Sequence, residues 1–397
     1  MSGRKHNSKA TRLAKFLLSF LAIILLLFYG GGGIYFSNTI DQQGLSAKTL
    51  ISEKPTYNIM VRALTSSTIT LALDRFSPTE ISEPGTWGLE WPNGYGQITT
   101  IISHTAKFVV RRFQLLQGQK PKVGALVAFD VRAYPGDPSQ ALGFAFQNVY
   151  YPGPLGNYPA WFVPGNQSTW AIMVHGNGMT RRDGMRMLPP VHKMGLPTLM
   201  ITYRNDPGAP SSKSGLLRYG LTEWLDLQAA VKYSLLHGAK HVVLLGFSMG
   251  GGIVTNFLIQ SPLSKYVSAV VLDAPMLDFS QTVNYDASLM TLPLISVPIP
   301  QTLTDTAKWI AGIQYGVQWS KLDYLQHVNK IKIPILLFQG LSDKTVPPET
   351  SNALAKDLPQ LVTYVTTPDA GHLESWNLNP KRYDAQLTAF LTQNLAQ

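Results

Sequence analysis

The chain has 397 residues, 45% of them hydrophobic and only 14% charged, with no cysteine. This is a globular composition with material for a large core; it excludes a disordered chain, disulfides, thiolate metal sites and a cysteine nucleophile. Half of the formal net charge of +10 comes from Arg4, Lys5, Lys9, Arg12 and Lys15. The remainder shows no dense Lys/Arg stripe, so nucleic acid is not expected as a partner.

Residues 1–15 form a basic tail. Residues 16–36 (FLLSFLAIILLLFYGGGGIYF) carry no charge. As a helix rising about 1.5 Å per residue, such a run crosses a bilayer core of roughly 30 Å. Basic residues precede it and the first acidic residue is Asp41. The positive-inside rule therefore predicts a single-pass cell-membrane anchor with the rest of the chain extracytoplasmic. The competing reading is a cleaved signal peptide, which has a shorter apolar region and an A-x-A-like site; none stands near residues 30–38. Residues 37–54 are polar and read as a tether.

Residues 55–159 read as a β-rich extension. Thr68–Leu73, Gly96–Ile101, Phe108–Phe113, Ala125–Val131 and Leu142–Tyr150 are rich in β-branched and aromatic residues and separated by turn residues. Residues 160–397 alternate strand and helix. Strands are expected at Trp170–Val174, Leu199–Tyr203, Val242–Gly246, Ala269–Leu272, Ile333–Gln339 and Leu361–Thr366. Helices are expected near Gly184–Met194, Leu221–His237, Gly251–Ile259, Glu349–Asp357 and Lys381–Leu395. Continuous apolar strands between helices predict an α/β domain, a mostly parallel sheet covered on both faces. Residues 276–325 exceed an ordinary connection and read as a cap over the site.

The chemistry-bearing residues follow in chain order. His175-Gly176-Asn177-Gly178 lies after the first core strand, where a loop can offer a backbone N–H to a developing oxyanion. Asn177 is the expected donor and Gly178 its competitor, while His175 is read as shaping the loop. Gly246-Phe247-Ser248-Met249-Gly250 is G-x-S-x-G between a strand and a helix. That turn holds a serine in strained backbone geometry at a helix N-terminus, with the N–H of Met249 as second oxyanion donor. A serine needs a base, and the base needs an orienting acid. The histidines after Ser248 are His327 and His372. His372 stands in a loop after a strand, whereas His327 precedes one and reads as structural. Asp343, in the loop after ILLFQ, is the expected acid. Asp273 is the reserve; Asp278 also follows a strand, and Asp369 reads as a turn cap.

HGNG (His175–Gly178), YRND (Tyr203–Asp206), GFSMGG (Gly246–Gly251), GLSDKTVP (Gly340–Pro347) and DAGH (Asp369–His372) together resemble the α/β-hydrolase superfamily over about residues 160–397. Within it the chain is similar to bacterial membrane-anchored hydrolases related to the serine-aminopeptidase-like group. The resemblance implies an α/β-hydrolase fold with Ser248 as nucleophile, Asp343 as acid and His372 as base. The oxyanion loop departs from the HGGG form at Asn177.

The expected activity is cleavage of acyl esters, carboxylesterase- or lipase-like, by a Ser-His-Asp triad that needs no metal or organic cofactor. The partners are a small-molecule, lipid or peptide acyl substrate and the membrane. A peptidase or acyltransferase on the same triad is the alternative. Recognition of a substrate amine would need an acid in the pocket, for which Asp206 or Glu223 are the candidates. A binding protein on an inactive hydrolase fold is the non-enzyme alternative, and it would lack a triad member.

Overall fold

In the computed structural model, residues 4–47, 55–292 and 296–395 are described. Residues 48–54 of the expected tether and 293–295 of the expected cap lie outside these.

The N-terminal segment is one long helix. It runs as α1 (Arg4–Leu25), widens into π-turns over Leu26–Gly31, and continues as α2 (Gly32–Ile40) and a second π-helical stretch, Asp41–Leu45. Apolar side chains from Leu13 to Leu27 stand exposed. Within it, Thr11–Leu45 is long and apolar enough to cross a membrane. The helix does not end where the apolar run does. Residues 37–45, expected to begin a tether, are helical because their polar groups find partners: Ser37 Oγ donates to Gln314 Oε1 (2.9 Å), and Tyr315 Oη donates to Asn38 Oδ1 (2.7 Å).

Six strands then close into a barrel in the order β1-β2-β5-β4-β3-β6: β1 (Ile59–Leu64), β2 (Thr68–Ala72), β3 (Trp87–Trp91), β4 (Gly94–His104), β5 (Phe108–Gly118) and β6 (Leu126–Asp130). Alternate residues such as Ile69, Leu71, Trp87 and Leu89 fill its interior. Closure leaves no unpaired strand edge.

The second sheet has eight strands: β7 (Gln147–Gly153), β8 (Gly156–Val163), β9 (Thr169–Val174), β10 (Thr198–Ile201), β11 (His241–Phe247), β12 (Val267–Asp273), β13 (Ile335–Gly340) and β14 (Val362–Thr367), ordered β14-β13-β12-β11-β9-β10-β8-β7. From β10 to β14 all pairings are parallel, and β8 and β7 add as antiparallel strands at one edge. The sheet therefore takes in residues 147–159, which sequence pattern had assigned to the β-rich extension. Along β11, Val242 and Leu244 face one apolar layer and Val243, Leu245 and Phe247 the other. This two-sided burial follows from the two-residue period of a strand and explains the uninterrupted apolar run. One face is covered by α5 (Trp224–Leu236) and α6 (Met249–Gln260); α3 (Pro138–Leu142) and α4 (Leu188–Lys193), earlier in the chain, pack on the other. The opposite face is covered by Leu188 and Val191 of α4 and by Tyr383, Leu387 and Leu391 of the last helix, Pro380–Leu395. Two further helices, α7 (Phe279–Leu289) and α8 (Gln301–Tyr315), form the segment above the C-terminal strand ends.

Candidate active site

Strand β11 ends at Phe247, and α6 starts at Met249. Between them Ser248 has φ 51° and ψ −120°, a conformation that costs a non-glycine residue of order 1–3 kcal/mol. Backbone bonds on both sides hold it there. Ser248 N donates to Asp273 O (3.0 Å), and Ser248 O accepts from Gly251 N (2.8 Å) and Met276 N (3.0 Å). The turn also requires glycine at position 250: a Cβ there would lie 2.1 Å from Val174 O. The hydroxyl is thus presented at the start of a twelve-residue helix, whose partial positive charge favours an anion.

The structure brings the three expected side chains together. His372 Nε2 lies 2.9 Å from Ser248 Oγ, and His372 Nδ1 lies 2.8 Å from Asp343 Oδ2. Asp343 is fully buried. Its Oδ1 accepts from the backbone of Thr345 (2.8 Å) and Val346 (2.9 Å), and its Oδ2 from Gln339 Nε2 (3.2 Å). This donor set holds the carboxyl group in place facing the imidazole. Asp273, the reserve acid, is committed elsewhere: its Oδ2 accepts from Tyr383 Oη (2.9 Å), and burial pushes its carboxyl up to about 6. Asp278 caps α7 by accepting from Gln281 N (3.0 Å). His327 and Asp369 are exposed.

The HGNG loop flanks the serine. A Cβ at Gly176 would stand 2.9 Å from Ser248 Cβ, so only glycine permits this approach. Met249, as first residue of α6, has an N–H without an intrahelical acceptor. The Asn177 side chain does something the sequence did not reveal: its Nδ2 donates to Tyr219 Oη (2.9 Å) and to Gly44 O (3.2 Å), clasping the end of the N-terminal helix. His175 faces away from Ser248. Its Nε2 meets Asp206 Oδ2 at 2.8 Å and its ring stacks on Tyr203. Burial lowers its basicity, but the Asp206 charge and hydrogen bond outweigh this and raise it.

A pocket of about 420 Å³ opens beside Ser248 and His372, within the size range of small-molecule sites. Four parts of the chain wall it: Phe36, Ile40 and Gly44 of the N-terminal helix, Val131 and Arg132 after the barrel, Asn177 and Tyr219 of the sheet domain, and Phe279, Asp286 and Met290 of the cap. Neither candidate amine-binding acid is available. Asp206 is tied to His175, and Glu223 accepts from the backbone of Arg218, Gly220 and Thr222. Asp183 in the pocket wall is paired with Arg132 (3.1 Å). The carboxylate that sequence reasoning missed is Asp286, which burial pushes up to about 7. Its neighbour Tyr285 donates to Asp343 O (3.0 Å), linking cap and acid loop. Asp286 falls within residues 276–325, read from sequence only as a cap over the site, and no motif there signalled a carboxyl in the pocket.

A model of the alpha/beta hydrolase family matches residues 171–386. An uncharacterized protein of Mycobacterium tuberculosis (strain H37Rv) is 23% identical over 241 residues, 59% of this chain and 74% of that protein. Among solved structures, an esterase of Pyrococcus furiosus superposes with a TM-score of 0.52 at 21% identity, covering 66% of this chain and 95% of that one. A puromycin-hydrolyzing peptidase of Mycobacterium tuberculosis does so with a TM-score of 0.50 at 16% identity, covering 82% and 46%. Both likenesses are of fold.

Proposed function

The chain belongs to the alpha/beta hydrolase family, and we propose that it is a membrane-anchored serine hydrolase that cleaves acyl esters outside the cytoplasmic membrane. The observation that carries this reading is the continuous contact from Ser248 Oγ through His372 to the buried Asp343. With the proton on Nδ1 directed at Asp343, Nε2 accepts the Ser248 proton as Oγ attacks the acyl carbonyl. The oxyanion takes a hydrogen bond from Met249 N–H and a second from the HGNG loop at Asn177 or Gly178, each worth roughly 3–4 kcal/mol in the transition state. His372 returns the proton to the leaving alkoxide, and water then releases the acyl group by the same steps. The exposed apolar helix and the basic residues before it support anchoring with the site outside.

Two experiments test this. A fluorophosphonate probe should label the detergent-solubilised full chain, and Ser248→Ala should abolish labelling; equal labelling of both would remove Ser248 from the mechanism. Because the chain has no cysteine, Ser2→Cys and Lys122→Cys report topology. An impermeant maleimide should label position 122 and not position 2 in intact cells, and the reverse pattern would overturn the orientation.

An amidase on the same triad is the second reading, favoured by Asp286 in the pocket wall. It predicts that aminoacyl amides outcompete esters and that Asp286→Asn raises KM for the amides alone.

A further inference from the structure

The N-terminal helix is more than a leash. Its stretch from Tyr29 to Asn38 runs alongside cap helix α8 from Thr302 to Tyr315, in the same direction. Tyr29 Oη is 3.0 Å from Thr302 Oγ1, Gly33 is packed so closely by Thr306 and Ile310 that a Cβ there would meet each at 2.9 Å, and Ser37 bonds Gln314. Tyr29 lies seven residues inside the end of the apolar run, about 10 Å in depth. If that run spans the bilayer, the first turn of α8 lies beside it at that depth. Ile299, which lines the pocket, also belongs to the apolar cluster of Leu292 and Leu303 with Phe28, Tyr29 and Phe36. The pocket that begins at Ser248 therefore reaches side chains packed on the apolar run itself. Beside this seam Leu289, Val297, Trp309 and Ile313 stand exposed on the cap, the last two at 68% and 66%. Trp309 and Ile313 share one face of α8, one turn apart. Exposed apolar side chains on the cap, an indole among them, suit a bilayer interface.

We propose that the pocket takes the acyl chain of a membrane-resident lipid ester, delivered from the bilayer along the seam between the N-terminal helix and the cap, with Phe36 and Ile40 forming one wall of the acyl site. This rests on the serine-hydrolase reading. Ser248 Oγ bonds to the acyl carbon, the ester C–O bond breaks, the alkoxide of the deacylated lipid leaves and receives the Ser248 proton through His372, and water then frees the fatty acid.

The test uses the full chain reconstituted in phosphatidylcholine vesicles. Three readouts are taken: fluorophosphonate labelling, fatty-acid release from a fluorescent diacylglycerol ester in the vesicles, and kcat/KM across p-nitrophenyl esters of two to twelve carbons. Each methylene buried in the pocket should raise kcat/KM by up to about fourfold, so activity rises with chain length and the vesicle ester is cleaved. Ile40→Trp and Ile299→Trp, which fill the pocket from the N-terminal helix and from the cap, should each lower the twelve-to-two-carbon ratio at least tenfold. An acyl ester bearing a terminal diazirine should cross-link to the peptide containing Phe36 and Ile40. Labelling of Ser248 with a flat or falling chain-length profile and an intact vesicle ester would overturn the lipid proposal while leaving the hydrolase standing. Absence of labelling would overturn both.

Discussion

Asp343 and Asp286 are both half- or fully buried carboxyls near one imidazole, yet their surroundings set them opposite tasks. Asp343 receives two backbone N–H groups and a glutamine amide in addition to His372. Asp343→Asn should leave the fold intact but deprive His372 of its orienting charge. We expect a loss of about 10⁴ in kcat, read by ester hydrolysis, with the thermal midpoint little changed; a loss below tenfold would place the acid elsewhere. Asp286 has no such donors among the described residues, and burial, only partly offset by His372, carries its carboxyl from 3.8 to about 7. A raised folded-state value means that its contribution to stability is complete below pH 3.8 and lost as pH rises through about 7. Asp286→Asn should therefore raise the melting temperature at pH 8 and leave it unchanged near pH 4. A shift of equal size at both values would show that the carboxyl is not held protonated by the pocket.

Helix seating is decided by small residues and by polar ones that pattern reading assigned to a loop. Ser37, Asn38 and Gly44 each meet the folded domain through a hydrogen bond, and Leu45 and Ala47 are buried in its core. In sequence they look like a hydrophilic tether, because nothing local tells that their partners lie more than 130 residues away. The parallel strands, by contrast, were legible, since two-sided burial writes an unbroken apolar run. The elbow at Ser248 and the loops bearing Asp343 and His372 were legible through glycine spacing and position after strands. Barrel closure through β1 and β6, and the docking of the β7–β8 hairpin onto β10, were not, because they depend on pairing between segments separated in the chain. Gly33 offers the sharpest test of seating. Gly33→Leu would force a side chain into Thr306 and Ile310, an overpacking that typically costs about 1–3 kcal/mol. We expect faster proteolysis between residues 45 and 60 and loss of a bis-maleimide cross-link between cysteines placed at positions 29 and 302. An unchanged digest and unchanged cross-linking would show the helix free of the cap.

At the scale of the molecule, the barrel joins the pocket by a junction of charges and one asparagine. Asp130, at the end of β6, pairs with Arg182 and Arg132, while Arg132 also pairs with Asp183; these contacts set Val131 and Arg132 at the pocket rim. Asn377, fully buried, stitches the same junction: its Nδ2 donates to Thr86 O and Val131 O at 2.8 Å, and its Oδ1 accepts from Arg186 Nη1 at 2.8 Å. Partly exposed ion pairs contribute on the order of 1 kcal/mol or less, whereas each buried group left unpaired costs about 1–3 kcal/mol. Asn377 satisfies three such buried partners at once. Asn377→Ala orphans two carbonyls and a guanidinium donor and should destabilise the chain by about 3 kcal/mol or more, read by denaturant unfolding. Asn377→Asp keeps the acceptor for Arg186 but removes both donated bonds, so it should recover only part of the loss. Because Arg132 and Val131 rim the pocket, both variants should also lower activity on bulky acyl esters more than on acetyl esters. Unaltered stability in Asn377→Ala would mean that the barrel is held by its charge pairs alone, and raising salt to 1 M should then separate it from the hydrolase domain.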